Sequence, residues 1–492
     1  MPYRFVTPLR LVPDRLLGWL PIVFLLAAGP LTAFLAIVVP PGEVADEVAH
    51  IARADSITHF GIVGFRHQGQ NAQGGPEAQA AIRADEGLVL IGFGFLPGTS
   101  LAAKQVTLAH IWRLLQFRWQ RHIITMEVPN TAVYPPTFYI PAAIAICVAR
   151  GSGVGPYSTF LAARLTNAVL YTAIGAYAIS MARRGRVILL CLLGLPMSLS
   201  LAASVNQDGL IIATVALSLA LLTRPTRASW WAGAVLLGFA AMAKPYLAVL
   251  AFALPVTYPG QLVREALGGF LIACVPAALW TAAMTALVAT PFVRGPAEPA
   301  GPLWDGPPGT IFATTNPMAQ LHVLLASPLR LVALPYRSLL AGWEHYWREF
   351  IGVLGSLDVL LPEPVYRTWA WIVILAVAGC LLFERQPPPP RTRVRCAIIN
   401  GIILFSLAAS SLTAFILQYL SWTRVGTALI DGVQGRYFIP VAVFGVPLLQ
   451  LAGRPRLWNQ LGLGAVATAV SVAVMSSAVF LMLLTVFAYY TR

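Results

Sequence analysis

Residues 17–39 read LGWLPIVFLLAAGPLTAFLAIVV, and residues 40–54 continue PPGEVADEVAHIARA. The first stretch is an apolar run long enough to cross a hydrocarbon layer as a helix. The second brings two carboxylates, a histidine and an arginine to the end of that run: Asp46, Glu47, His50 and Arg53. Charged groups are costly near hydrocarbon, so such a set at a helix exit is a functional-site candidate. A solvated helix end that halts the chain at the interface would carry the same charges. The spacing alone leaves both readings open.

The rest of the chain is of the same kind. Of its 492 residues, 58% are hydrophobic and 11% charged, well under the share of about 25% charged residues usual in soluble domains. Mean hydropathy is +0.73. The composition predicts a single, all-α polytopic membrane domain over residues 1–492, whose helices satisfy their own backbone groups in lipid. The net charge of +14 could suggest a nucleic-acid partner. Its arginines, however, fall in short loops between apolar spans, which is a topology signal and speaks against nucleic acid. Cys147, Cys191, Cys274, Cys380 and Cys396 lie in or beside apolar stretches without metal-ligand spacing, so they read as buried thiols. The first apolar run is long and no small-residue cleavage site follows it. It reads as a first membrane helix and not as a removed signal peptide. There is no phosphate-binding P-loop and no dinucleotide fingerprint, so nothing here is built to bind a nucleoside triphosphate.

Arginine placement orients the spans. Arg4, Arg10 and Arg15 precede the first one, which predicts a cytoplasmic N-terminus and puts Asp46 and Glu47 on the outer side of the membrane. The outer loop then runs over residues 40–157. Its middle, residues 66–87, is rich in Gln, Gly and Ala and reads as mobile. Residues 101–119 show helical apolar spacing with Lys104, Arg113 and Arg118 interspersed, as in a helix lying on the membrane surface. The apolar stretch from Tyr134 to about Val148 is short for a span and reads as a partly inserted outer helix. Spans are expected near residues 159–182 and 187–203, then in a segment ending at Arg224 and Arg227. Two short segments meet at Ala243-Lys244-Pro245-Tyr246. Further spans are expected at 267–290, after Tyr366, at 396–417, after Gln434-Gly435-Arg436-Tyr437, and at the C-terminal end. The count is about eleven, within 10–12. A second long outer loop occupies residues 291–365 and carries an amphipathic stretch around Tyr346–Phe350.

This topology gathers Asp46, Glu47, His50, Arg53, Asp208, Lys244 and Arg436 on one face. If residues 44–54 are helical, Asp46, His50 and Arg53 share a side with Glu47 adjacent. A carboxylate beside a lipid interface can take a proton from a hydroxyl nucleophile. Paired carboxylates are also hard oxygen ligands for Mg²⁺ or Mn²⁺, and such an ion with Arg or Lys would stabilise a departing phosphate. Each residue has a plainer reading too. His50 could orient a partner or be interfacial polarity, and Arg53 could be a structural partner of the carboxylates. Asp208 could serve the helix dipole, and Lys244 and Arg436 could be snorkelling cations. Arg164, inside a span, reads as an ion-pair partner or headgroup contact. Asp358 and Glu344 are further outer-loop candidates.

Several of these residues sit in a recurring order: Asp46-Glu47-x-x-His50-x-x-Arg53-Ala54, Tyr134-x-Pro136, Arg164 with Asn167, Pro196-Met197 followed by Ser204 and Asp208, Gly352-x-Leu354-Gly355-x-Leu357-Asp358, and Gln434-Gly435-Arg436-Tyr437. Together they resemble a bacterial membrane family known as domain of unknown function 2142. The segment Gly42–Ala45 lengthens the usual spacing between the prolines and Asp46. That family is similar in layout to the C-type (GT-C) glycosyltransferases. The resemblance implies a sugar donor linked to polyprenyl phosphate and an acceptor that is a glycan, lipid or protein of the envelope. On it, Asp46 and Glu47 are expected to be catalytic, with His50, Arg53, Asp208, Lys244 and Arg436 binding substrate. The rival reading is a flippase or transporter of lipid-linked glycans. A transporter is expected to place its polar site at the midplane between broken helices, and a noncatalytic scaffold would leave the clustered acids unexplained.

The topology is open to a direct check. A cysteine placed at residue 75 should react with a membrane-impermeant thiol reagent in cells whose inner membrane is intact. Labelling that appears only after lysis would invert the arrangement.

Overall fold

The computed structural model describes residues 13–70, 76–94, 106–257, 263–291, 315–384, 393–449 and 459–490. Arg4, Arg10, Lys104 and position 75 lie outside the described residues. The first span forms as α1 (Pro13–Val38), with Pro21 and Pro30 inside it. Bilayer helices tolerate such prolines where neighbours re-satisfy the freed carbonyls. The chain continues as α2 (Glu47–Thr58), β1 (Phe65–Gln70), β2 (Pro76–Asp85), α3 (Glu86–Gly92), α4 (Leu108–Gln116), β3 (Ile123–Glu127), α5 (Ile140–Gly151) and α6 (Pro156–Met181). Next come α7 (Arg186–Leu193), α8 (Pro196–Ala202), α9 (Gln207–Leu222), α10 (Arg227–Ala243), the 3₁₀ segment Pro245–Ala253, α11 (Leu254–Thr257) and α12 (Val263–Leu287). The last part comprises α13 (Pro317–Ala326), α14 (Arg330–Ile351), the strands β4 (Val353–Leu354) and β5 (Val359–Leu360), α15 (Glu363–Ala378), α16 (Arg393–Ser421), α17 (Phe438–Gly445) and α18 (Asn459–Tyr490).

Among the described residues, five helical stretches are long and apolar enough to cross a membrane: Leu17–Val38, Val263–Leu287, Glu363–Phe383, Val394–Ser421 and Gly462–Tyr490. Two bent pairs, α8 with α9 at 115° and α13 with α14 at 107°, raise the number to seven if each counts as one span. The hydropathy reading gave about eleven, and the difference has a physical basis. α9 and α10 have 16 and 17 residues, short of the roughly 20 a straight crossing needs. The expected span 187–203 is broken between α7 and α8 at Gly194-Leu195-Pro196, because proline lacks an amide hydrogen and its ring disfavours helix in the residue before it. α6 has the length, 26 residues, but carries Arg164 and Asn167 on its buried side.

The chain is also not all-α. Residues 66–87, read from sequence as a mobile stretch, supply most of β1 and β2. These pair antiparallel from Phe65↔Ala81 to Gln70↔Pro76. β3 adds to the other edge of β2, from Ala81↔Glu127 to Asp85↔Ile123. Alanine and glutamine carry little intrinsic strand preference. Here tertiary packing decides, since Ala80, Ile82, Ala84 and Val128 pack with Ala49 and Ala52 of α2 and Met284 and Val288 at the end of α12. The Ala80 amide donates to Thr290 Oγ1 (3.0 Å). The first loop therefore folds as a small sheet held against the end of α12, a helix long and apolar enough to cross a membrane. None of the cysteines forms a disulfide, and Cys147 is exposed on α5, not buried as its apolar surroundings suggested.

α9 is apolar on all sides and nearly every residue in it is buried, as expected of a central helix. The turn Gln434–Tyr437 leads into α17 and lies against α14. A Cβ on Gly435 would overlap the Tyr346 carbonyl oxygen and lie 2.7 Å from the Phe350 nitrogen. Both are backbone atoms that cannot give way. Gly435→Ala should therefore lower stability by about 1–3 kcal/mol, the range for overpacking, seen as a lower thermal midpoint of the purified, detergent-solubilised protein. An unchanged midpoint would mean that this turn is not closely packed on α14.

Candidate functional site

Asp46 is the residue just before α2, and its backbone is left-handed, with φ 61° and ψ 2°. This conformation costs an L-residue roughly 1–2 kcal/mol, and aspartate is among the few side chains that visit it. Its carbonyl accepts from the Ala49 and His50 amides (3.0 and 3.1 Å), so its backbone starts α2. Its side chain makes no capping bond. It meets Arg436, with Asp46 Oδ2 lying 2.9 Å from Arg436 Nη2, and the Asp46 side chain is 41% exposed.

Three further elements close on the same place. Asp208 stands in the first turn of α9, where Asn206 Oδ1 caps the Asp208 amide at 2.9 Å. With the backbone capped by Asn206, the Asp208 carboxylate reaches Lys244 Nζ (2.9 Å) and approaches Arg436 Nε (3.6 Å). Lys244 ends α10. Its ammonium lies 5.5 Å from the Tyr134 ring centroid and 4.9 Å from that of Tyr437, within cation–π range. Arg436 is oriented by Gln434, whose Oε1 accepts from Nε at 2.7 Å, while its Nη1 is buried with no partner among the described residues. Arg436 itself is buried. It sits beneath Asp46 and is not the snorkelling cation that its place at a span start allowed.

His50, one turn into α2, forms the wall of this cluster. Its Nδ1 is 2.6 Å from the Tyr139 hydroxyl, and its ring stacks with Tyr134 and Tyr139 at centroid distances of 6.3 and 5.7 Å. Burial lowers the imidazole pKa to about 4, against the opposing pull of Asp46 and Asp208. His50 is therefore neutral near pH 7.

Glu47 and Arg53 do not join them. Glu47 is fully buried and takes Arg164 in a two-point pair, Nε to Oε1 at 2.8 Å and Nη2 to Oε2 at 2.5 Å. Its Oε1 also accepts from the Val205 amide at 3.0 Å. The expected side-by-side action of Asp46 and Glu47 is corrected by this arrangement, because the left-handed residue 46 sends the two carboxylates to different partners. Arg164 is thus an ion-pair partner, not a headgroup contact. Arg53 is also buried, and it holds carbonyls in place of carboxylates: Gly61 at 2.7 Å, Ile62 at 2.6 Å and Tyr134 at 3.0 Å. Glu344 pairs with Arg348 on the surface of α14, and Asp358 lies in the β4–β5 hairpin loop; neither is among the groups paired at Asp46.

The donor set does not fit the expected Mg²⁺ or Mn²⁺. Glu47 is occupied by Arg164, and each carboxylate of the cluster already faces a cation. Among the described residues no three His, Cys, Asp or Glu side chains converge as metal ligands.

The family described as "Predicted membrane protein (DUF2142)" matches residues 30–445. The chain belongs to this family. No curated protein and no solved structure matches it. Several of the motifs that suggested the family fall around the cluster. Besides the residues above, Asn167 Nδ2 donates to the Ser204 carbonyl (3.0 Å) just before the α9 cap. Ser356, within the motif from Gly352 to Asp358, donates to the Gly42 carbonyl (3.1 Å) ahead of Asp46. Sequence reasoning missed Tyr139, Tyr437, Gln434 and Glu349 as members of the site. Tyr437 and Gln434 stood in a quoted motif, and Glu349 lay in the amphipathic stretch around Tyr346–Phe350 without being singled out; its Oε2 accepts the Gly435 amide at 2.6 Å and so fixes the Arg436 turn.

The neutral, buried His50 makes stability depend on pH. An unfolded histidine binds its proton near pH 6.5, whereas the folded one does so only near pH 4. Between those values the unfolded state holds the extra proton, so stability falls as pH falls, by about 3 kcal/mol across the window. His50→Gln should flatten this part of the profile when unfolding midpoints are compared at pH 7, 6 and 5. An unchanged slope would place the responsible proton on another group.

Proposed function

We propose that this chain is an inverting glycosyltransferase with a C-type (GT-C) layout. It would move a sugar from a polyprenyl-phosphate donor to an envelope glycan, lipid or protein at the periplasmic face of the bacterial inner membrane. A multi-pass topology with a cytoplasmic N-terminus is the frame of this reading. One observation carries it: Asp46, Asp208, Lys244 and Arg436 come from four separate parts of the chain and meet as an alternating row of charges, with one carboxylate partly open to solvent. A purely structural ion pair needs no such row, and no exposed end.

In the proposed reaction Asp46 accepts the proton of an acceptor hydroxyl. The hydroxyl oxygen forms a bond to the anomeric carbon, and the bond from that carbon to the phosphate oxygen breaks. The electron pair of the broken bond leaves with the lipid phosphate, which gains one negative charge. Arg436 and Lys244 are the cations that can meet that charge. Arg436 offers a planar fork and Lys244 a point charge. Asp208, between the two, keeps both cations oriented before the donor arrives. His50 and its tyrosines form a neutral wall that adds no competing charge. In this proposal each role falls to a side chain, and Glu47, held by Arg164, is not paired with Asp46.

The test uses purified protein with a radiolabelled polyprenyl-phosphate sugar and an envelope extract as acceptor. Asp46→Asn should abolish transfer of label while the protein stays monodisperse, since Asp46 is partly exposed. Arg436→Lys should raise the donor KM. Normal transfer by Asp46→Asn would overturn the assignment of the base. Movement of intact labelled donor across the bilayer without cleavage would favour the transporter reading instead.

A further inference from the structure

A second feature of the first loop is independent of this chemistry. Just past α2, Phe60 is 94% exposed and has φ 61°, a backbone conformation strained for a bulky side chain. Ile62 and Val63 beside it are also exposed. Strain of this kind persists only where the surroundings over-determine it, and here they do. The buried Arg53 holds the Gly61 and Ile62 carbonyls, and the Gly61 amide donates to the Ser56 carbonyl at 2.8 Å. The tip is built to present three apolar side chains, at a loop where polar residues would otherwise be expected.

The depth of this tip follows from its connections. Arg53 Nη2 holds both the Ile62 and the Tyr134 carbonyls, which places the tip close to residue 134. The neighbouring Val133 carbonyl accepts from Trp280 Nε1 at 2.9 Å, and Trp280 lies within the membrane-crossing helix α12. Counting about 20 residues from Arg264 at the other end of α12 puts the hydrocarbon boundary near Met284. Trp280 is one turn inside that boundary, roughly 6 Å. The carbonyls that Arg53 gathers are therefore level with the acyl-chain boundary and not above it.

α5 continues the same surface. It lies alongside α2 in the same direction, joined at one end through His50 and Tyr139 and at the other by Arg150 Nη2 to Asp55 Oδ1 at 2.5 Å. Its exposed residues Ile140, Ile144 and Val148 recur every four positions and form one stripe. With 12 residues it is too short to cross. The guanidinium of Arg150 rests 4.5 Å from the Trp119 ring centroid, a cation and an aromatic of the kind found at headgroup level.

We propose that Phe60, Ile62 and Val63, with the Ile140–Ile144–Val148 stripe, form a rigid wedge seated in the acyl-chain region of one leaflet. Its partner is the bilayer, and continuity with the lipid contact of α12 is the reason for choosing it over a second protein surface. The test is nitroxide spectroscopy on the full chain in phosphatidylethanolamine–phosphatidylglycerol nanodiscs, with the five native cysteines replaced. Labels are placed at Phe60→Cys and Ile144→Cys, with Gln68→Cys on β1 as the aqueous reference. Ile62→Cys substitutes if the first variant yields no protein. The ratio of oxygen to nickel-chelate accessibility should be several-fold higher at 60 and 144 than at 68. Equal ratios at the three sites would overturn the wedge. Labels at 60 and 144 immobilised and shielded from both reagents would overturn it too, by showing a protein partner.

Discussion

The buried pair of Arg164 with Glu47 is the interaction on which the rest depends. Both side chains are fully buried, and removing either would leave an uncompensated charge at a cost of about 3–5 kcal/mol. The pair also solves a backbone problem. α1 ends inside the protein, and the guanidinium takes the carbonyls of Ala36, Val39 and Pro40, which would otherwise lack donors away from water. On its other side Glu47 Oε1 accepts the Val205 amide, next to the α9 cap. One ion pair thus joins the end of α1, the start of α2, the middle of α6 and the turn before α9. With Glu47 fixed there, the left-handed residue 46 sends the neighbouring carboxylate toward Arg436.

The row Asp46–Arg436–Asp208–Lys244 carries two charges of each sign. Inside a protein such neighbours attract by about 4 kcal/mol at 4 Å with an effective permittivity near 20, so the cluster holds itself together without a ligand. The two carboxylates are not equivalent. Asp208 is buried between both cations, and withdrawing it would strand two charges. Asp46 is held by one cation and is partly solvated, so water can take over its pairing at far lower cost. An anion arriving at the unpartnered Nη1 of Arg436 would therefore compete first with Asp46. This asymmetry is the physical ground for choosing Asp46, and not Asp208, as the group that changes partners during a reaction.

The sequence made the first span legible, and it put Asp46, Glu47, His50, Arg53, Asp208, Lys244 and Arg436 on one face, of which Asp46, Asp208, Lys244 and Arg436 meet as a charge row. That placement came from where the charges fall relative to apolar segments. The separate fates of Asp46 and Glu47 were not legible, because counting helical faces assumes a helix through residue 46 and the backbone there is left-handed. The sheet was hidden because Ala- and Gln-rich strands owe their form to packing on α12 and not to their own preference. The short helices around α9 were read as spans because hydropathy cannot distinguish a helix apolar from lipid contact from one apolar through burial in protein. Arg53 was placed correctly near the carboxylates in sequence but serves backbone carbonyls, a role that leaves no mark on residue spacing.

The position of Arg436 depends in turn on a helix that is itself half-exposed. Glu349 of α14 accepts the Gly435 amide and faces His345 at 3.1 Å, while Ser338 accepts the Ile430 amide at 2.8 Å. Tyr346 packs edge-on against Phe415 and Phe438. The other side of α14 exposes Val332, Tyr336, Leu339, Leu340 and Trp343, an apolar stripe at helical spacing. An outer face of this kind suits contact with an apolar phase. The same helix fixes the turn that carries Arg436. The geometry of the charge row thus depends on α14, because loosening α14 would release Gly435 and with it the guanidinium that joins the two carboxylates.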